Sequence, residues 1–407
     1  MTHHVLAVSA PAVPTAAAGG SPATQRLLGL DLARALAIFG MFAVHVGPDP
    51  SVGGPLGWVM ELASGRSSAM FALLAGFTLV LMTGRSQPRT GREGRQAVGR
   101  VLIRSAVLIF LGYALTALDT PVNVILAFYG LLLVLALPLY RLRASTLAVI
   151  AASTALVLPQ VLYLLRATVE DGSWAEAVIA HDPLARITGS DGVVELIVTG
   201  AYPVLTWLPF VVAGMAVARL GIDRPGVPAK LALSGGVLAV LGYGGSWLAL
   251  RLVPGAQAAV NAATGGGSAA SAWWSDAVGD YPTRGTPAWL LVAAPHSETT
   301  WSILGNTGVA LLVLVACLTA IDRSPRFRRW AVPAIAVGSV SLTAYVGHII
   351  AIKALGTDDM AASAALPVLL GFITVAMLLA FAWTRYFRRG PMEYLLYAAT
   401  TPARLIN

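Results

Sequence analysis

Arg34 and His45 stand eleven residues apart in the apolar stretch GLDLARALAIFGMFAVHVG. Hydrocarbon tolerates a guanidinium and an imidazole only where they line a site or pair with something. An imidazole takes a proton from a hydroxyl or amine near neutral pH and returns it to a leaving group. The planar donor fork of arginine suits phosphate or carboxylate. Eleven residues of helix rise about 16 Å, roughly half the hydrocarbon thickness. One helix would thus present a cation toward one side of a membrane and a base toward the other. Asp31 lies three residues before Arg34 on the same helical face, so an intrahelical ion pair also accounts for Arg34, and pairing is compatible with ligand binding.

Other candidates gather on the side of His45. His296, in APHSETTW, and His348, toward the end of a later apolar run, are expected at the same membrane level, whereas His3, His4 and His181 lie in polar segments. A three-histidine metal site lacks close ligand spacing, so no metal is expected and an acceptor pocket is the better reading. Arg66 opens GRSSAMFALLAGFTL and serves either to bind an anionic acceptor or to anchor a helix end. Ser339, Ser341 and Thr343 suit interhelical contacts, and Tyr345 joins His348 as a candidate pocket residue. A hydrolytic triad of His296, Ser297 and Glu298 is rejected, because the order is sequential and no GxSxG turn accompanies it. Cys317 is alone in an apolar run, which excludes an internal disulfide and reads as packing.

The elements that must position these groups are membrane helices. Of 407 residues, 57% are hydrophobic and 11% charged, far from a soluble composition. The net charge of +8 sits in short loops between apolar runs, a membrane-topology signature and not a nucleic-acid surface. Spans are expected at 27–46, 67–83, 101–118, 121–139, 145–165, 195–218, 230–253, 301–321, 332–354 and 364–386. The fold class is therefore an all-α polytopic bundle of about ten transmembrane helices. Arginines 85, 89, 92, 95, 100 and 104, then 141 and 143, then 219 and 224 with Lys230, then 323, 326, 328 and 329, then 385, 388 and 389 follow alternate spans. These loops are expected to face the cytoplasm, with both termini. The opposite loops carry Asp49, Glu61, Asp119, Glu170, Asp171, Glu176, Asp182, Asp191, Asp276, Asp280, Glu298, Asp358 and Asp359. Residues 1–25 read as a disordered cytoplasmic tail without a cleavable signal, 26–390 as the transmembrane domain and 391–407 as a cytoplasmic segment. The long external connection 254–300 contains the stretch NAATGGGSAASA, expected to be flexible, and Trp273 and Trp274, expected at the interface.

The opening GLDLARALAIFGMFAVHVG resembles the first-helix motif of the transmembrane acyltransferase superfamily, which includes heparan-alpha-glucosaminide N-acetyltransferase-like, YeiB-like and acyltransferase-3 proteins. The interval from Arg34 to His45 is similar to the arginine, ten residues, histidine pattern of the last group. SSAMFALLAGFTLVL resembles the second-helix pattern of YeiB-like proteins. APHSETTWSILGNTGVALLVLVACL, GSVSLTAYVGHII and RRGPMEYLLYAATTPARL resemble their C-terminal region. Ala35 departs from the usual glycine, and ALLAG at 72–76 departs from SLLFG.

The resemblance implies transfer of an acyl group, acetyl foremost, from cytoplasmic acyl-CoA to an extracytoplasmic hydroxyl or amine on a glycan or glycolipid, in a bacterial cytoplasmic membrane. His45 would be the catalytic base, and Arg34 with Asp31 would hold the donor. Acetyl-CoA is then a co-substrate, membrane lipids are neighbours, and a homodimer is conceivable. A transporter for a solute or lipid is the main alternative, and an inactive scaffold the third; an inverted repeat would favour transport, and none is evident.

Overall fold

The computed structural model describes residues 22–406 except 86, 171, 189, 280, 283, 284, 358 and 359. The expected tail through residue 21, with His3 and His4, lies outside the described residues, as do Asp171, Asp280, Asp358 and Asp359. The described chain is helical, with no strand among the described residues, as lipid requires of any segment that must satisfy its own backbone.

Helix α1 spans Pro22–Val46. Next come α2 (Gly54–Ala63), α3 (Arg66–Thr83), α4 (Gly91–Thr116), α5 (Leu126–Ala136) and α6 (Ala144–Glu170). They are followed by α7 (Val204–Leu220) and α8, which runs Val227–Leu252 through a π turn at Val240–Gly244. The last are α9 (Thr300–Arg323), α10 (Val332–Ser339), α11 (Ser341–Leu355), α12 (Ala365–Tyr386) and α13 (Pro391–Ala399). Among the described residues, seven helical stretches are long and apolar enough to cross a membrane by themselves. The protein is therefore a multi-pass membrane protein.

Three of the ten expected spans take another form. The ninth is broken at Val340, where α10 and α11 meet at 87°. The sixth is a π turn at Glu195–Thr199, a break, and then the short α7, because Pro203 has no N–H to continue the ladder. The fourth starts only at Leu126, past Pro121, and ends in a 3₁₀ turn at Leu137–Arg141. Conversely, the third begins at Gly91, ten residues before expectation, which brings Arg92, Arg95 and Arg100 of the expected loop inside a helix.

Helix α1 is central. It packs on α3, α9, α10 and α12, and Ala33, Ala35 and Ile38 on it are fully buried. Close crossings are set by glycine. A Cβ at Gly76 would collide with the Val211 carbonyl of α7, and one at Gly214 with the Leu73 carbonyl of α3, so the two backbones touch reciprocally. Gly338 at the end of α10 likewise rests on the Asp31 backbone.

The stretch expected to be flexible is folded instead. Val260, Ala269, Ala272 and Val278 pack with Trp289, Val292 and Ala294 into a small second core, and Ser268 N–H donates to the Ala277 carbonyl. Its small residues serve close packing, not mobility. The C-terminal segment is also docked, since α13 packs on α4 and α11 and Gln96 donates to the carbonyls of Arg404 and Ile406.

Candidate functional site

Near the end of α1, His45 Nδ1 lies 2.9 Å from His348 Nε2 of α11. The two rings are nearly parallel, 4° apart, with centroids at 5.2 Å. One nitrogen must donate and the other accept, so each imidazole fixes its partner's tautomer. With the proton on His45 Nδ1, the lone pair of His45 Nε2 is available, and that atom makes no hydrogen bond among the described residues. His348 is buried and held by aromatic neighbours, Phe42 at 4.9 Å and Tyr345 at 5.1 Å. Tyr345 is itself fixed, because its Oη accepts the Ile125 N–H at 3.2 Å.

His296 approaches from the loop before α9 and lies within electrostatic range of His45. Its Nδ1 is 3.3 Å from the Ala201 carbonyl, and its ring meets Tyr202 and Trp207. The loop is strained: His296 and Glu298 have φ of 53° and 59°, a region that costs a non-glycine residue about 1–3 kcal/mol. Glu298 anchors it, accepting from Thr206 Oγ1 and, at 3.2 Å, from Trp207 Nε1. Ser297 Oγ is buried without a hydrogen-bond partner, so His296, Ser297 and Glu298 form no triad.

Burial pushes the Glu298 carboxyl above the usual carboxylate range, against the opposing hydrogen bond from Thr206 and the nearby Arg166 guanidinium. A carboxyl whose pKa is raised on folding stabilises the fold fully below its unfolded pKa, and that contribution is lost as pH rises through the folded value. Glu298→Gln keeps an acceptor for Trp207 and should therefore flatten the loss of thermal stability with rising pH across that window. Thermal unfolding of the detergent-solubilised protein at a series of pH values checks this, and parallel curves for the two proteins would refute it.

Half a membrane away, a cavity of about 250 Å³ opens between α1, α3, α4, α5 and the break between α10 and α11. Arg34 lines it, donating from Nη1 to Asp31 Oδ1 at 2.7 Å and from Nη2 to Thr78 Oγ1 at 3.0 Å. The ion pair anticipated from spacing is thus present, yet Arg34 still faces the cavity. Arg104 of α4 also lines it, within electrostatic range of Arg34 and Glu393, and makes no hydrogen bond to a described residue. Glu393 of α13 closes one wall and caps α11, accepting from Leu342 N–H at 2.8 Å and Thr343 Oγ1 at 2.6 Å. Leu126 and Tyr129 of α5 form the far wall. Ile125, the residue before that wall, is the one that holds Tyr345, and Tyr345 touches His348. The cavity and the imidazole pair are therefore neighbours through α5.

Arg66 belongs to neither group. All three of its nitrogens are spent on the protein, donating to Tyr243 Oη, the Glu61 carbonyl and the Trp274 carbonyl at 3.0, 2.8 and 2.6 Å. It staples the 254–300 cap to α3, as the helix-end anchor of its two expected roles would. Arg104, Thr78 and Glu393 were not singled out by sequence. Arg104 reads as one more of the basic loop residues although it falls within the expected span 101–118, and Glu393 is masked by the treatment of 391–407 as a separate segment.

The family model described as heparan-alpha-glucosaminide N-acetyltransferase, catalytic, matches residues 26–243, more than half of the chain. A second, described as a protein of unknown function, DUF418, matches residues 281–402. No curated protein matches significantly. The first match contains Arg34, His45, Thr78 and Arg104, and the second contains His296, Tyr345, His348 and Glu393.

Proposed function

Since the chain belongs to the family of the heparan-alpha-glucosaminide N-acetyltransferase catalytic domain, we propose that it transfers an acetyl group across the membrane, from acetyl-CoA to a hydroxyl or amine of a glycan. The orientation follows loop charge, with the Arg34 cavity toward the cytoplasm and His45 toward the opposite side. Arg34 and Arg104 attract the anionic donor, and its narrow thiol-bearing arm reaches through the cavity toward His45. What supports this reading is one arrangement: a helix that carries a cavity-facing arginine at one level and, about 16 Å along, a histidine whose tautomer a second histidine fixes.

In the proposed step, His45 Nε2 accepts the proton of the acceptor hydroxyl or amine as that oxygen or nitrogen bonds to the thioester carbonyl carbon. The tetrahedral intermediate collapses with cleavage of the carbon–sulfur bond. The sulfur then leaves as a thiol, taking the proton back from the imidazolium. His348 shares the charge that develops on His45, and His296 lies close enough to orient the acceptor.

The test is incubation of the purified protein in lipid vesicles with acetyl-labelled CoA thioester outside the Arg34 face and an aminosugar at the other. Labelled product with release of free CoA is expected. Movement of unmodified sugar across the vesicle with no labelling would replace this reading by transport.

A further inference from the structure

A second, larger opening lies on the membrane side of His348. It is a groove of about 610 Å³ between α11 and α12, and its lining is almost wholly apolar. Helix α12 borders it from Val368 to Trp383, sixteen residues or about 22 Å of helix rise. This exceeds half of a hydrocarbon core of about 30 Å. The 87° break at Val340 borders it: α11 departs from the line of α10, and α12 packs on α10 and α1 but only sparsely on α11. Phe42 and His348 form its inner wall, so the groove meets the candidate site at the imidazole pair. Gly347 and Gly371 line it, and a Cβ added at either meets nothing within 4 Å. The outward face of α12, at Leu370 and Leu378, is more than half exposed, as a lipid-facing helix requires.

We infer that the acceptor is lipid-linked, with its hydrocarbon chain in this groove and its polar head at His45 and His348. This rests on the proposed acetyl transfer and names its substrate class. The occupant is a hydrocarbon chain because the groove lies along a membrane-spanning helix and offers almost no polar partner. It belongs to the acceptor because the donor's anionic part has its own basic cavity on the other side of α11, lined by Arg34 and Arg104. An outer-leaflet lipid already holds its head at the surface and its tail inward, which is how the groove runs from His348 toward Trp383. The groove then brings the reacting hydroxyl or amine to the imidazoles by two-dimensional diffusion in the membrane.

The experiment compares methyl and dodecyl glucosaminide as acceptors, with acetyl-CoA and the full-length protein in vesicles. The dodecyl acceptor is expected to show a KM about tenfold lower. Gly371→Leu, and separately Val375→Trp, should remove that advantage and leave the rate with methyl glucosaminide unchanged. Binding is read independently of turnover: a dodecyl glucosaminide brominated in its chain should quench wild-type tryptophan fluorescence, and much of this quenching should vanish in Trp383→Phe and in Gly371→Leu. Equal KM for the two acceptors, or quenching that ignores both substitutions, overturns the inference while leaving acetyl transfer intact. Quenching of the expected kind without any labelled product upholds the groove as a lipid site and overturns acetyl transfer. Loss in Gly371→Leu of transfer from palmitoyl-CoA, with acetyl transfer to the dodecyl acceptor unaffected, assigns the groove to the donor and overturns the inference.

Discussion

His45→Ala is expected to lower the rate of acetyl transfer by about 10²–10⁴-fold, the usual worth of a positioned general base, with the KM for acetyl-CoA nearly unchanged. The separation follows from geometry. The basic cavity that draws the donor is centred on Arg34, some 16 Å from His45 along the same helix, and His45 does not line it. Loss of the imidazole therefore removes a group that acts in the transition state, not one that binds the donor's anionic part. His348→Ala should also slow transfer, because it releases the 2.9 Å contact that selects the tautomer of His45. If the two act as a unit, the double variant is no slower than His45→Ala alone. The measurement is single-turnover labelling, with thermal unfolding as the control for folding, since His45 is only half-buried and its removal leaves little void. Wild-type turnover in His45→Ala would end its assignment as the base.

The convergence of His45, His296 and His348 was legible in the sequence, because alternation of loop charge fixes which helix ends share a side. Apolar length likewise marked the seven stretches that are long enough to span among the described residues. What remained hidden depends on breaks and boundaries. Nothing in GSVSLTAY announces an 87° turn: the interruption at Val340 lies between two serines in an apolar run, and Gly338 is required there by contact with Asp31, not by a turn. Arg104 looked like a loop charge because it continues the arginine series of 85–100, although it falls within the apolar run 101–118 and α4 is already helical from Gly91. Arg66 shows a different limit. Its type and position fit an anion site or a helix-end anchor, and while the Glu61 carbonyl it meets is close in sequence, the Trp274 carbonyl is 208 residues away, a partner that no local pattern reports.

Arg34 carries the other large expected effect, and its ion pair with Asp31 supplies the competing explanation. Arg34→Met should raise the KM for acetyl-CoA about 10–100-fold, the scale of one or two charge-assisted hydrogen bonds, while the rate at saturating donor falls much less. The same substitution strands the Asp31 carboxylate, which is 20% exposed. Breaking a buried pair costs about 3–5 kcal/mol, and partial access to water reduces this to about 1–3 kcal/mol. Stability and affinity thus fall together in the single variant, and Arg34→Met alone cannot separate a donor site from a structural pair. Asp31→Asn combined with Arg34→Met does. Neutralising Asp31 removes the stranded charge, so the double variant should regain most of the lost thermal stability. Its KM should stay high, because the cavity still lacks the guanidinium. Arg104→Met should raise KM in the same direction without the stability loss, since Arg104 makes no hydrogen bond to a described residue. A double variant that recovers both stability and wild-type KM would reduce Arg34 to the partner of Asp31 and leave the donor to be held by Arg104 alone.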